Sequence, residues 1–211
     1  SAVRLFFSNF QMAVNPQIVK SYASKNYSYM YGLIFRSSKY SYFLLLFLSL
    51  PLFLEAPYIL NLWLKIVPEY TILFTRLVLV TVLIDCVSGA LMAGAQASGK
   101  IKVYQSVVGG LLLAIVPLSY GILKLYDDPV VPFFVTIGVI SLALAIRLLV
   151  LRKLINLSFM KFMKNVMCPI FFTTLVSLVS PLLLYYNIQM ESDFLRLCLV
   201  TFVCFVSVGI S

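Results

Sequence analysis

The stretch Lys102–Lys124, "KVYQSVVGGLLLAIVPLSYGILK", decides how the rest of the chain is read. Two lysines bound a run, Val103–Leu123, that carries no charge. A helix crossing the hydrocarbon of a bilayer needs about 20 mostly apolar residues. The run therefore predicts one continuous membrane-spanning helix. Outward in both directions the pattern repeats, with candidate spans at Ser1–Ser21, Ser41–Leu64, Tyr70–Ala95, Pro129–Leu151, Val166–Asn187 and Phe194–Ser211. Pro51 and Pro57 read as kinks in the second span or as its end. The expected fold class is all-α: a polytopic transmembrane helix bundle of about seven spans.

Composition agrees. The chain has 211 residues, 62% hydrophobic and 11% charged. A soluble domain carries about 45–50% apolar and about 25% charged residues. A larger core cannot absorb the excess, because a chain of this size still needs a solvated surface. Lipid is the simplest solvent for it. The chain does not begin with Met and stops at Ser211 within an apolar run, so it reads as an internal piece of a longer protein.

The charges set an orientation. Lys20, Lys25, Arg36 and Lys39 share one gap between spans, and Lys100 and Lys102 another. Arg147, Arg152, Lys153, Lys161 and Lys164 lie in and beside a third. These gaps contain no acid. Every acid except Asp85 falls in the alternate gaps: Glu55 and Glu69, Asp127 and Asp128, Glu191 and Asp193. Basic loops face the cytoplasm, so the gaps around Pro68, Asp127 and Glu191 should face outward. The net charge of +9 thus reads as topology, and no nucleic-acid partner is expected. Tyr27–Lys39 and Phe159–Lys164 mix aromatic or Met residues with cations and read as interfacial anchors meeting membrane lipids. Trp63 reads as a belt anchor.

Polar groups inside spans are expensive, and they usually face protein or a wet cavity. Arg4, Ser8, Gln11 and Asn15 recur at helical spacing and form one stripe on the first span. They either hydrogen-bond neighbouring helices or line a substrate cavity. Arg76 near an outer end reads as a snorkelling cation. Asp85 is the one acid well inside a span. Three readings are open for it: pairing with an arginine on another helix, binding a coupling proton or cation, or a protonated structural hydrogen bond. Ser88, Gly89, Gly94 and Ala95 on the same helix, and Gly109–Gly110 on the next, permit close packing.

No catalytic set appears, and the chain is not expected to be an enzyme. Histidine is absent, and the four cysteines lie in apolar runs without metal or disulfide spacing. Asp127–Asp128 precedes Pro129 and reads as a solvated turn, not a metal site. Gly99–Lys100 is followed by Ile101, so it is not a phosphate-binding loop, and no cofactor is implied.

Three segments, in order, carry a resemblance: "AVNPQIVKSYASKNYSYMYGLIFRSSKYSYF" at Ala13–Phe43, "LPLFLEAPYILNLWLKIVPEYTILFTRLVL" at Leu50–Leu79, and "LMAGAQASGKIKVYQSVVGG" at Leu91–Gly110. Together they resemble the second half of a bacterial polysaccharide (O-antigen type) flippase, of the multidrug/oligosaccharidyl-lipid/polysaccharide exporter superfamily. The resemblance implies two helical bundles facing across a cavity. Residues 1–155 would supply helices of the second bundle and residues 156–211 additional C-terminal helices. It implies a bacterial inner-membrane protein that flips undecaprenyl-diphosphate-linked oligosaccharide from the inner to the outer leaflet, alongside polysaccharide-assembly proteins. Arg4 and Arg76 would then be able to meet the diphosphate, with Ser8, Gln11 and Asn15 beside Arg4. Asp85 would be the ion-coupling candidate. A drug or metabolite exporter of the same superfamily is the nearest alternative. A membrane enzyme of envelope assembly is a further one, disfavoured by the short outer gaps.

Overall fold

The computed structural model describes residues 2–64, 66–187, 199–204 and 206, with side chains from residue 11 onward and not for residues 180–198. Among the described residues every regular element is helical. Helix α1 spans Ala2–Ala23, α2 Tyr27–Leu54, α3 Ala56–Leu64, α4 Thr71–Cys86 and α5 Ser88–Ala97. Then come α6 Ile101–Leu113, α7 Ile115–Leu123, α8 Val131–Ile155 and α9 Phe159–Phe162. A π-helical turn, Met163–Met167, leads into α10, Cys168–Asn187. Helices satisfy their own backbone groups, which is what lipid demands of a spanning segment.

Five helical stretches are long and apolar enough to cross a membrane: Tyr27–Leu54, Thr71–Ala97, Ile101–Leu123, Val131–Ile155 and Phe159–Val179. Helix α1 has the length but carries the polar stripe, and it is not among the five. Most of the expected span Phe194–Ser211 lies outside the described residues.

Local chemistry explains the joints. Lys25 takes a left-handed conformation (φ 58°), and the Asn26 and Lys25 amides donate back to the Ser21 and Tyr22 carbonyls. This is the pairing of a Schellman motif, and it stops α1. The Asn26 side chain then accepts from the Tyr29 amide and starts α2.

Two expectations are corrected here. The anchor Tyr27–Lys39 is not a separate interfacial helix before a span at Ser41–Leu64. It is the first half of α2, a rod about 42 Å long at 1.5 Å per residue. Met30, Ile34, Ser37, Ser38 and Ser41 bury one continuous face, and no breaker interrupts it. The real break is at Glu55, because Pro57 has no amide for the Phe53 carbonyl. Pro57 instead sits in the first turn of α3, where a missing donor costs nothing.

The run Val103–Leu123 is also not one unbroken helix. It divides at Ala114 into α6 and α7. Pro117 is the cause: it cannot donate to the Leu113 carbonyl, and its ring crowds that group. Ala114 keeps right-handed helical angles (φ −64°, ψ −15°), so the chain continues in one direction.

The inter-helix contacts sort the charges to opposite ends. The Tyr31 hydroxyl donates to the Ile155 carbonyl at 2.5 Å, and Phe35 meets Phe162 edge-on. A Cβ on Gly94 would lie 3.0 Å from the Ile34 Cδ1 and 3.3 Å from the Ile155 Cδ1, so the helices cross closely here. The starts of α2 and α6 and the end of α8, with their lysines and arginines, therefore share one end. At the other end Phe74 stacks on Phe133, 4.6 Å apart, close to Glu69 and Asp127–Asp128. Asp128 caps the following turn by accepting from the Val130 amide. Helix α7 and the outer face of α6 are almost bare, with Leu113 75% and Val116 72% exposed, as a lipid-facing surface requires.

Candidate functional site

The span formed by α4 and α5 is interrupted once, at Val87. No proline explains it. Two side chains from other helices do. Gln11 Nε2 of α1 donates to the Cys86 carbonyl at 3.2 Å, and Ser38 Oγ of α2 donates to the Val87 carbonyl at 3.0 Å. Donors inserted at consecutive carbonyls compete with the helical ladder and loosen it locally. Gly89 makes room for the first, since a Cβ there would collide with the Gln11 amide.

Beside this interruption lies a cavity of about 270 Å³ between α1, α4, α5, α6 and α8. Its polar lining is Gln11, Asp85, Ser88, Tyr104, Gln105 and Arg147, and its apolar wall is Met92, Val108 and Leu112. Arg147 Nη1 approaches Asp85 Oδ1 at 3.4 Å. The arginine side chain is 10% exposed and the aspartate 41%. A charge buried at this depth must be paired. The pair is loose: a single contact, with Arg147 Nε buried and without a partner. The Ser88 hydroxyl is likewise buried without a partner.

The residues singled out from the sequence divide. Gln11 and Asp85 reach the cavity, and of the three readings of Asp85 the pairing with an arginine on another helix is the one found. Arg4 and Ser8 lie outside the residues whose side chains are described, although both fall within α1. Asn15 lies off the cavity, with its Oδ1 buried and unpartnered. Arg76 is elsewhere: its Nε donates to the Phe53 carbonyl at 3.0 Å, and its guanidinium lies over the Phe53 ring. That carbonyl is the one orphaned by Pro57. Arg76 thus caps a broken helix and does not line this cavity.

Arg147 was counted with the basic gap, although it stands inside the run Pro129–Leu151. That position was the available signal. Tyr104 gave none, since an aromatic residue near a span end is ordinary.

Fold and site together define a helical membrane protein in which an Arg–Asp ion pair lines a cavity between helices. No family model, no curated protein and no solved structure matches the chain.

Proposed function

We propose that the chain is an about seven-span segment of a two-bundle transporter: its second helical bundle with the start of the extra C-terminal helices. It moves undecaprenyl-diphosphate-linked oligosaccharide between the leaflets of a bacterial plasma membrane. The observation that carries this reading is the ion-paired cavity at the Val87 interruption. A diphosphate does not cross hydrocarbon unaided, and a transporter must offer it cations away from lipid. Interrupted helices beside polar groups are how many transporters build a substrate site within the membrane. The three segments quoted above add the resemblance that names the cargo. Gln11 brings α1 to the cavity, and in the sequence Arg4 and Ser8 stand at helical spacing from it. Asp85 remains the candidate for ion coupling.

Surface polysaccharide in a strain lacking the native gene tests the reading. Arg147→Ala and Arg4→Ala should each abolish display at near-normal membrane levels, and Arg147→Lys should retain part of it. Normal display with Arg147→Ala removes the cavity from the mechanism.

A further inference from the structure

We propose that Asp85 is an internal stand-in for an oxyanion of the cargo: a phosphoryl or carboxylate group binds the Arg147 guanidinium by displacing Asp85 from it. This deepens the transport reading and rests on it.

The geometry of the pair is the first support. A guanidinium presents five donors in a fork that grips an oxyanion through two parallel bonds. Arg147 uses one of them, Nη1, at the long distance of 3.4 Å. Its Nε is shielded from solvent and has no acceptor. The whole residue is only 8% exposed. A bridge that served stability alone would close the fork on the carboxylate.

The surroundings are the second support. The Ser88 hydroxyl, buried and unpartnered, the Tyr104 hydroxyl and the Gln105 amide share the cavity with the guanidinium. Among the described lining residues Asp85 is the one anion. The hydroxyls and the amide can each donate, so beside the guanidinium they offer a second acceptor-rich group further hydrogen bonds. The cavity has room for one.

The asymmetry of burial is the third. Asp85 is four times as exposed as Arg147 and opens to the cavity. It can turn away without entering hydrocarbon, while Arg147 stays in place. The buried cation then has a partner before, during and after binding, and the carboxylate left unpaired is the more exposed of the two groups. Return of Asp85 expels the bound group.

The test is equilibrium binding to the full chain in phosphatidylcholine nanodiscs, with inorganic diphosphate, undecaprenyl diphosphate and succinate as separate probes. Asp85→Asn should bind inorganic diphosphate at least about tenfold more tightly than the unaltered chain, the worth of one competing charged contact. Arg147→Gln should lose binding. The double variant Asp85→Asn/Arg147→Gln should bind nothing while melting close to the unaltered chain, and Asp85→Ser should repeat the gain should Asp85→Asn fold poorly. Unchanged or weaker binding by both Asp85 variants overturns the proposal, as does binding that survives Arg147→Gln or is absent for every probe. Tight binding of succinate, or of inorganic but not lipid-linked diphosphate, supports the exchange and overturns the lipid-diphosphate cargo.

Discussion

Arg147 and Asp85 stand 62 positions apart in the chain and meet at 3.4 Å between α8 and α4. The pair ties two spans together, and its guanidinium, only 10% exposed, is the member that needs a partner. Asp85→Ala strips the guanidinium of its partner and should lower stability by about 2 kcal/mol, less than for a fully buried pair because the aspartate is partly exposed. Arg147→Met leaves only a partly exposed carboxylate and should cost less. Asp85→Asn/Arg147→Met should recover most of the loss. Thermal unfolding in detergent measures all three. An unchanged melting temperature for Asp85→Ala would show that the pair holds nothing.

Much of the fold was legible in run lengths and in the alternation of charge, because lipid enforces both over whole segments. The joints were less so. The α1–α2 turn depends on one left-handed lysine, and the break at Glu55 on which carbonyl Pro57 deprives of a donor. Tyr27–Lys39 looked interfacial because its composition is amphiphilic. It is instead held in one long helix by packing of Met30, Ile34 and Ser38, which composition does not record. The site was half legible. Asp85 was conspicuous, but its partner was hidden among neighbouring loop cations. The stripe on α1 singled out Gln11, which lies at the cavity, yet nothing in its spacing said that Gln11 would bond a carbonyl of another helix.

The Gln11 amide and Gly89 occupy complementary space, and this gives a clean coupling test. Gly89→Ala should push the flexible Gln11 side chain off the Cys86 carbonyl and cost about 1 kcal/mol, the net value of one hydrogen bond. Gln11→Ala should cost about the same, for the same reason. Once Gln11 is gone, Gly89→Ala should add almost nothing. Unfolding of the two single variants and the double gives the interaction energy, and strict additivity would separate the two residues.

Arg76 is predicted to act on structure and not on cargo. Arg76→Met removes the donor to the Phe53 carbonyl and should destabilise by about 1–2 kcal/mol, as charged hydrogen bonds do. In a Pro57→Ala background the residue-57 amide is restored, and the same substitution should cost markedly less. Transport activity per folded molecule should be unchanged in Arg76→Met. A loss of transport with normal melting would instead place Arg76 on the cargo path.

The last prediction concerns the division of 101–123 at Ala114. An interrupted helix in a membrane either continues across or turns back as a re-entrant hairpin, and the two outcomes reverse every later loop. Ala114 stays in the right-handed helical region, and its amide still reaches the Gly110 and Leu111 carbonyls, so the backbone does not reverse. Both halves pack along α8, as two parts of one rod would. Lys100 and Asp127 should therefore lie on opposite faces of the membrane, with the lysine side cytoplasmic by the charge rule. Single cysteines at the two positions, in a chain whose four native cysteines are replaced by alanine, can be probed with an impermeant maleimide. Asp127→Cys should label in intact cells and Lys100→Cys only after permeabilisation. Labelling of both from the same side would make 101–123 a hairpin and invalidate the assignment of the basic end to the cytoplasm.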